Sequence, residues 1–140
     1  DDSSAEMRFQ GDGIKDGDGD GVVGTASSYN SRATTGTEAE SFNIWGHLRA
    51  ADLVKDQATD GQPANAFGGV FGFQNGAFGV LTGTVVCLDS VTGNAAQAID
   101  ARIDDGASDT GSIRGGTGAV DAAPADNYTG DNTYVMCARI

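Results

Sequence analysis

Carboxylates are the side chains in this sequence with the clearest chemical pattern. Asp16, Asp18 and Asp20 alternate with glycine in the run Lys15-Asp16-Gly17-Asp18-Gly19-Asp20-Gly21. In a calcium loop, carboxylates at positions 1, 3 and 5 converge on the ion, and glycine at position 6 permits the sharp turn. Asp16, Asp18, Asp20 and Gly21 meet that spacing. Three carboxylates this close repel one another unless a cation lies between them. The expected ligand is calcium; a solvated loop is the alternative. Ser27 occupies the position where an EF-hand carries its bidentate glutamate, so the run departs from that motif. A more distant acid must complete the site, with Glu40 the first candidate and Glu38 the second. Glu40 has a competing role, as the third residue of a capping box led by Thr37. Asp104 and Asp105 read as a helix terminus and turn, with a second cation site as the alternative.

Other chemistry is sparse. Cys87 and Cys137 form an even pair, and a small exported domain gains from a covalent tie. A bridge between them closes a loop worth about 4 kcal/mol of chain entropy. Two buried free thiols are the alternative. Neither cysteine has the CxxC or histidine neighbour of a zinc site. His47 is the single histidine. It falls near Trp45, Leu48 and Arg49 and has no evident nucleophile, so a packing or hydrogen-bonding role is expected. No GxSxG, HExxH, P-loop or dinucleotide motif occurs. Trp45, the single tryptophan, reads as buried, which argues against an aromatic sugar cleft. The expectation is a protein that is not an enzyme. Asn127-Tyr128-Thr129 matches the glycosylation sequon in an exposed segment.

Net charge narrows the partners. Twenty acidic and 8 basic residues give −12, a surface that repels nucleic acid and anionic membranes and attracts divalent cations. No apolar run approaches the roughly 18 residues of a membrane-spanning helix. The opening Asp1-Asp2-Ser3-Ser4 leads to the expectation that an N-terminal segment precedes this sequence and was removed.

The elements that must carry these residues fit one domain over 1–140. Glycine beside Asp, Asn, Ser and Thr predicts a loop over 11–36 within a polar N-terminal stretch. Phe42, Trp45, Leu48 and Ala51, flanked by Ile44 and Leu53, predict a helix over 38–55. Apolar runs at 67–73 and 78–88 predict strands joined by an Asn75-Gly76 hairpin turn. A second short helix is expected over 94–105, capped by Thr92 or Asn94. Its apolar side is Ala95, Ala98, Ile99 and Ile103, and Gly106 ends it. Residues 106–132 read as loop and 133–140 as a strand carrying Cys137. The region 87–137 is bounded by the cysteines. No internal repeat is evident.

Two segments, in order, resemble those of prepilin-type proteins, the type IV pilin and pseudopilin family. One is Gly17-Asp18-Gly19-Asp20-Gly21-Val22-Val23 followed by the helix motif Glu40-Ser41-Phe42-Asn43-Ile44-Trp45-Gly46-His47-Leu48. The other is Ala98-Ile99-Asp100-Ala101-Arg102-Ile103-Asp104-Asp105-Gly106 followed by Thr110-Gly111-Ser112-Ile113-Arg114. Framing cysteines also fit pilin-like heads. The resemblance implies an α+β head: a small antiparallel β-sheet, two short helices and long loops, packed on a long helix that is largely outside this sequence. It implies a structural filament subunit, self-assembling with identical or related subunits. Its membrane contact would be made only through that N-terminal helix. The expected location is the cell surface or a periplasmic pseudopilus. A secreted calcium-dependent adhesin or carbohydrate-binding module is the alternative.

Overall fold

A computed structural model of the chain describes residues 3–9, 14–33, 35–55 and 61–140, with Glu6 and Glu38 described by backbone alone. Residues 11–13 and 34 of the expected acidic loop, and residues 56–60 after the expected first helix, lie outside the described set. The elements in chain order are α1 (Ala5–Phe9), α2 (Glu38–Ala50), β1 (Phe71–Ala77), β2 (Leu81–Thr92), α3 (Gly93–Ile103), β3 (Ile113–Gly116) and β4 (Thr133–Arg139). The strands form one antiparallel sheet in the order β1-β2-β4-β3. The fold is α+β with a small sheet, as expected.

Strand pairing sorts the side chains onto two faces, because directly opposed residues share a face and neighbours alternate. Gly72↔Cys87↔Cys137 and Gln74↔Val85 lie on one face; Phe73↔Val86↔Ala138 and Leu88↔Met136 lie on the other. Both faces are covered. Tyr29, Phe78 and Val120 pack with Val85 and the two cysteines on the first. On the second, Ala95, Ala96 and Ile99 of α3 pack with Val91, Ile113, Tyr134 and Met136, and Trp45 of α2 stacks on Phe73 at 4.9 Å between ring centroids. Val91 reaches this face because a bulge interrupts the β2–β4 register between Leu88 and Val91, with Ser90 at φ +62°. The added residue reverses the alternation, so Val91 falls opposite Tyr134.

Gly72 is required by a close approach. A Cβ there would lie 1.8 Å from the carbonyl oxygen of Tyr29, so the loop that carries Tyr29 lies directly on the strand. Gln74, fully buried beside it, secures that loop. Its Oε1 accepts from the Tyr29 N–H (2.9 Å) and its Nε2 donates to the Ala26 carbonyl (2.8 Å).

Several boundaries differ from the sequence expectation. The hairpin turn falls at 78–80 rather than at Asn75-Gly76, and Gly76 sits in an irregularity between Asn75 and Ala77. Residues 67–69 belong to a turn around Asn65, whose Oδ1 accepts from the N–H groups of Phe67 (2.8 Å) and Gly69 (3.1 Å). The strands therefore begin and end later in the chain. Helix α2 stops at Ala50 because Asp52 adopts φ +60°. Leu53 N–H then donates to the Leu48 carbonyl and Asp52 N–H to the Arg49 carbonyl, a Schellman closure. Leu53 is 73% exposed as a result. On α3 the inward residues are Gly93, Ala96 and Asp100, whereas Ile103 is 71% exposed. Helix α1 and strand β3 arise in segments expected to be loop.

Two phenols, Tyr29 buried and Tyr128 half-buried, make the fold sensitive to alkali. Tyr29 Oη donates to Asp89 Oδ2 (3.3 Å) and Tyr128 Oη to Asp100 Oδ2 (2.7 Å). Burial first, then the neighbouring aspartate, pushes both phenols well above their ordinary range. A folded-state pKa above the unfolded one gives stability that is whole below about pH 10 and is lost as pH rises beyond it. Ionisation of Tyr29 and Tyr128, followed by the ring resonances of each, is expected together with unfolding, read by circular dichroism, and not before it. Tyr134, where burial is outweighed by hydrogen bonds from Thr129 that lower the phenol, titrates apart from them. Ionisation of both phenols in a folded chain is the opposing outcome.

Candidate cation pocket on the acidic loop

Helix α2 starts without the expected capping box. Thr37, at the N-cap position, has φ −57° and ψ −33° and makes no side-chain cap bond. Backbone bonds serve instead: Ala39 N–H donates to the Gly36 carbonyl (2.9 Å) and Glu40 N–H to the Thr37 carbonyl (3.3 Å). These leave the Glu40 carboxylate to turn toward the acidic loop. Its Oε1 accepts from the N–H of Asp18 (2.8 Å).

The loop is shaped by its own aspartates. Asp18 Oδ1 accepts from Asp20 N–H (3.1 Å), and Asp20 Oδ1 accepts from Val22 N–H (2.7 Å). Such Asx turns need a short side chain two residues before the donor, which is why aspartate alternates with glycine here. Helix α2 fastens the loop at two further points. His47 Nε2 donates to the Lys15 carbonyl (2.6 Å), and the Ser41 and Ser28 hydroxyls are 2.7 Å apart. Glu40 and His47 are seven residues apart, two helical turns, and so address one strip of loop.

Beneath these contacts lies a pocket of about 460 Å³ lined by Asp16, Asp18, Thr37, Glu40 and Asn43 among others. Asp18, Asp20 and Glu40 each offer a carboxylate oxygen, all within 4.8 Å of one another. Asp16, the fourth residue expected from spacing, lines the pocket but lies outside this converging group of three. The Asx turns orient the second and third aspartates of the run, not the first. The side chain of Glu38 lies outside the described residues. Glu40 is 5% exposed, and its Oε2 has no hydrogen-bond partner among the described residues.

A second acidic group, Asp100, Asp104 and Asp105, also converges. Its carboxylates are taken up by the chain itself. Asp100 accepts from Gly106 N–H (2.9 Å) and the Tyr128 hydroxyl. Asp104 Oδ2 accepts from the N–H groups of Ser112 and Ile113. Asp105 accepts from Thr110 Oγ1 (2.6 Å) and Ala107 N–H (3.0 Å), bonds that hold its carboxyl below the usual range. This is the clasp that closes α3 onto β3.

Cys87 and Cys137 form a disulfide, with Cα atoms 4.1 Å apart in directly paired positions of β2 and β4. Sequence reading overlooked Asn65 and Gln74, and placed Asp100 in a resembling segment without giving it a structural role. The signal for Asp100 was an acid in phase with the apolar residues of α3. Asn65 and Gln74 carried none. Comparison with known proteins returns no matching family model, no matching curated protein and no matching solved structure.

Proposed function

We propose that this chain is the head domain of a structural subunit of a type IV pilus-like filament, at the cell surface or in a periplasmic pseudopilus. One observation carries the proposal. Within each segment that resembles prepilin-type proteins, side-chain-to-backbone hydrogen bonds tie the first part of the segment to the second. Glu40, which leads the helix motif, holds the Gly-Asp loop through Asp18 N–H. Asp104 holds the amides of Ser112 and Ile113 in the motif that follows it. The framing cysteines tie the two central strands. Motif residues spent on holding a shape, with the one histidine bonded to a backbone carbonyl, suit a protein whose work is form and durability.

On this reading the head contributes an anionic outer surface of net charge −12, and assembly runs through an N-terminal helix outside this sequence. Subunits of the same or related sequence are its partners, and nucleic acid is not. The proposal is tested in the encoding organism, with an antibody raised to this domain. Immunogold is expected along sheared filaments, or crosslinking into a secretion pseudopilus, and deletion of the prepilin peptidase is expected to abolish both. Recovery of the chain only as free soluble protein, unaltered in the peptidase deletion, overturns the filament reading.

A further inference from the structure

We propose that Asp18, Asp20 and Glu40 bind one calcium ion, which fastens the acidic loop to α2. This inference stands apart from the filament reading, since it rests on the converging carboxylates and the buried Glu40 alone. Two oxygens that share a calcium ion lie at most about 5 Å apart, twice a Ca–O distance of about 2.3–2.6 Å. The three carboxylates meet that limit, each offering an oxygen within 4.8 Å of the others.

Acidic side chains gather on many surfaces without an ion. Glu40 Oε2 makes this group different. It is a carboxylate oxygen of a side chain 95% buried, unpartnered among the described residues, in a group of converging acids. A buried charged acceptor left without a donor is costly, and the cost grows where two other carboxylates share the site. A cation between them removes both penalties at once. Oxygen ligands alone select a hard ion. Nitrogen and sulfur are committed elsewhere, His47 Nε2 to the Lys15 carbonyl and both cysteines to the disulfide. A loop of glycines and aspartates suits the adaptable coordination of calcium better than the strict octahedron of magnesium. Water and backbone carbonyls of the loop supply the remaining ligands.

The test uses the 140-residue chain, after chelator treatment, titrated with calcium chloride in a calorimeter at fixed ionic strength. One saturable site is expected, with magnesium at least about tenfold weaker. At calcium one hundredfold above Kd, the midpoint of heat unfolding is expected to rise by about 8 °C. Glu40→Gln keeps the shape and removes the charge; it is expected to weaken calcium at least about tenfold. The paired change Asp18→Asn with Asp20→Asn, on the exposed loop, is expected to do the same without touching the helix. Asp105→Asn, in the second acidic group, is expected to leave affinity unchanged. Amide exchange at residues 15–22 is expected to slow with calcium in the parent chain. No heat and no shift at millimolar calcium overturn the proposal. So do equal effects of calcium and magnesium insensitive to Glu40→Gln, which mark diffuse screening. Loss of binding in Asp105→Asn alone overturns it too, by placing the ion elsewhere.

Discussion

Replacing Cys87 and Cys137 together by alanine is expected to destabilise the chain by about 4 kcal/mol, lowering the midpoint of heat unfolding by about 15 °C. The bridge spans 50 residues of sequence, so its loss frees a long loop in the denatured chain. The native strands lose less. Val86↔Ala138 and Leu88↔Met136 still pair on either side of the bridged position. Both sulfurs are fully buried against Val85, Tyr29 and Val120, and their removal leaves a small void that adds to the cost. Against a total stability of about 5–15 kcal/mol, this is the largest single loss expected from any covalent change. The double replacement is the right comparison, because a single one leaves a free buried thiol. Urea unfolding of the double variant against the oxidised parent measures the difference. A difference under about 1 kcal/mol places the stability of the β2–β4 pair in its packing instead.

The same bridge illustrates what sequence does and does not reveal. Two cysteines and a small domain suffice to predict a disulfide, but not that it joins opposed residues of neighbouring strands. Periodicity placed α2 and α3 correctly and misjudged their inward faces, because both bury polar groups. Helix α2 turns Glu40, Ser41 and His47 toward a loop rather than an apolar core, and α3 turns Asp100 inward while Ile103 faces outward. A hydrophobic pattern carries no sign that a carboxylate has found backbone donors 6 residues away, as Asp100 finds Gly106. Strand β3 escaped notice for a related reason. It spans only Ile113–Gly116, and its ladder is set by pairing with β4 from far along the chain. The acidic loop was legible as three aspartates in calcium-loop spacing. For its spatial partner Glu40 the sequence left two roles open; backbone bonds at Gly36–Thr37 serve the helix end, and the Glu40 carboxylate takes the Asp18 N–H instead of capping.

Asp100 is the residue on which the second half of the fold turns, and its replacement carries the other large expected effect. The side chain is 0% exposed. Its Oδ1 receives the Gly106 N–H that closes the end of α3, and its Oδ2 receives the Tyr128 hydroxyl. Tyr128 in turn packs edge-on to Tyr134 at 5.1 Å between ring centroids, so one carboxylate ties α3 to the long loop ahead of β4. That loop also covers the outer edge of β3, where Ala125 N–H donates to the Gly115 carbonyl (2.8 Å). Asp100→Ala leaves two half-buried donors without an acceptor, at the lower part of about 1–3 kcal/mol each, and is expected to cost about 3 kcal/mol in all. Asp100→Asn retains an acceptor for Gly106 and offers an amide N–H to the Tyr128 oxygen, since the hydroxyl rotates to accept. It is expected to cost about 1 kcal/mol. Tyr128→Phe removes the donor to Oδ2, and its effect combined with Asp100→Asn is expected to fall short of the sum, because the two share one hydrogen bond. Urea unfolding of the three variants gives the values. If asparagine costs as much as alanine, the negative charge and not the acceptor geometry holds this region together. The carboxylates of Asp100, Asp104 and Asp105 would then need a cation, not the backbone amides that now surround them.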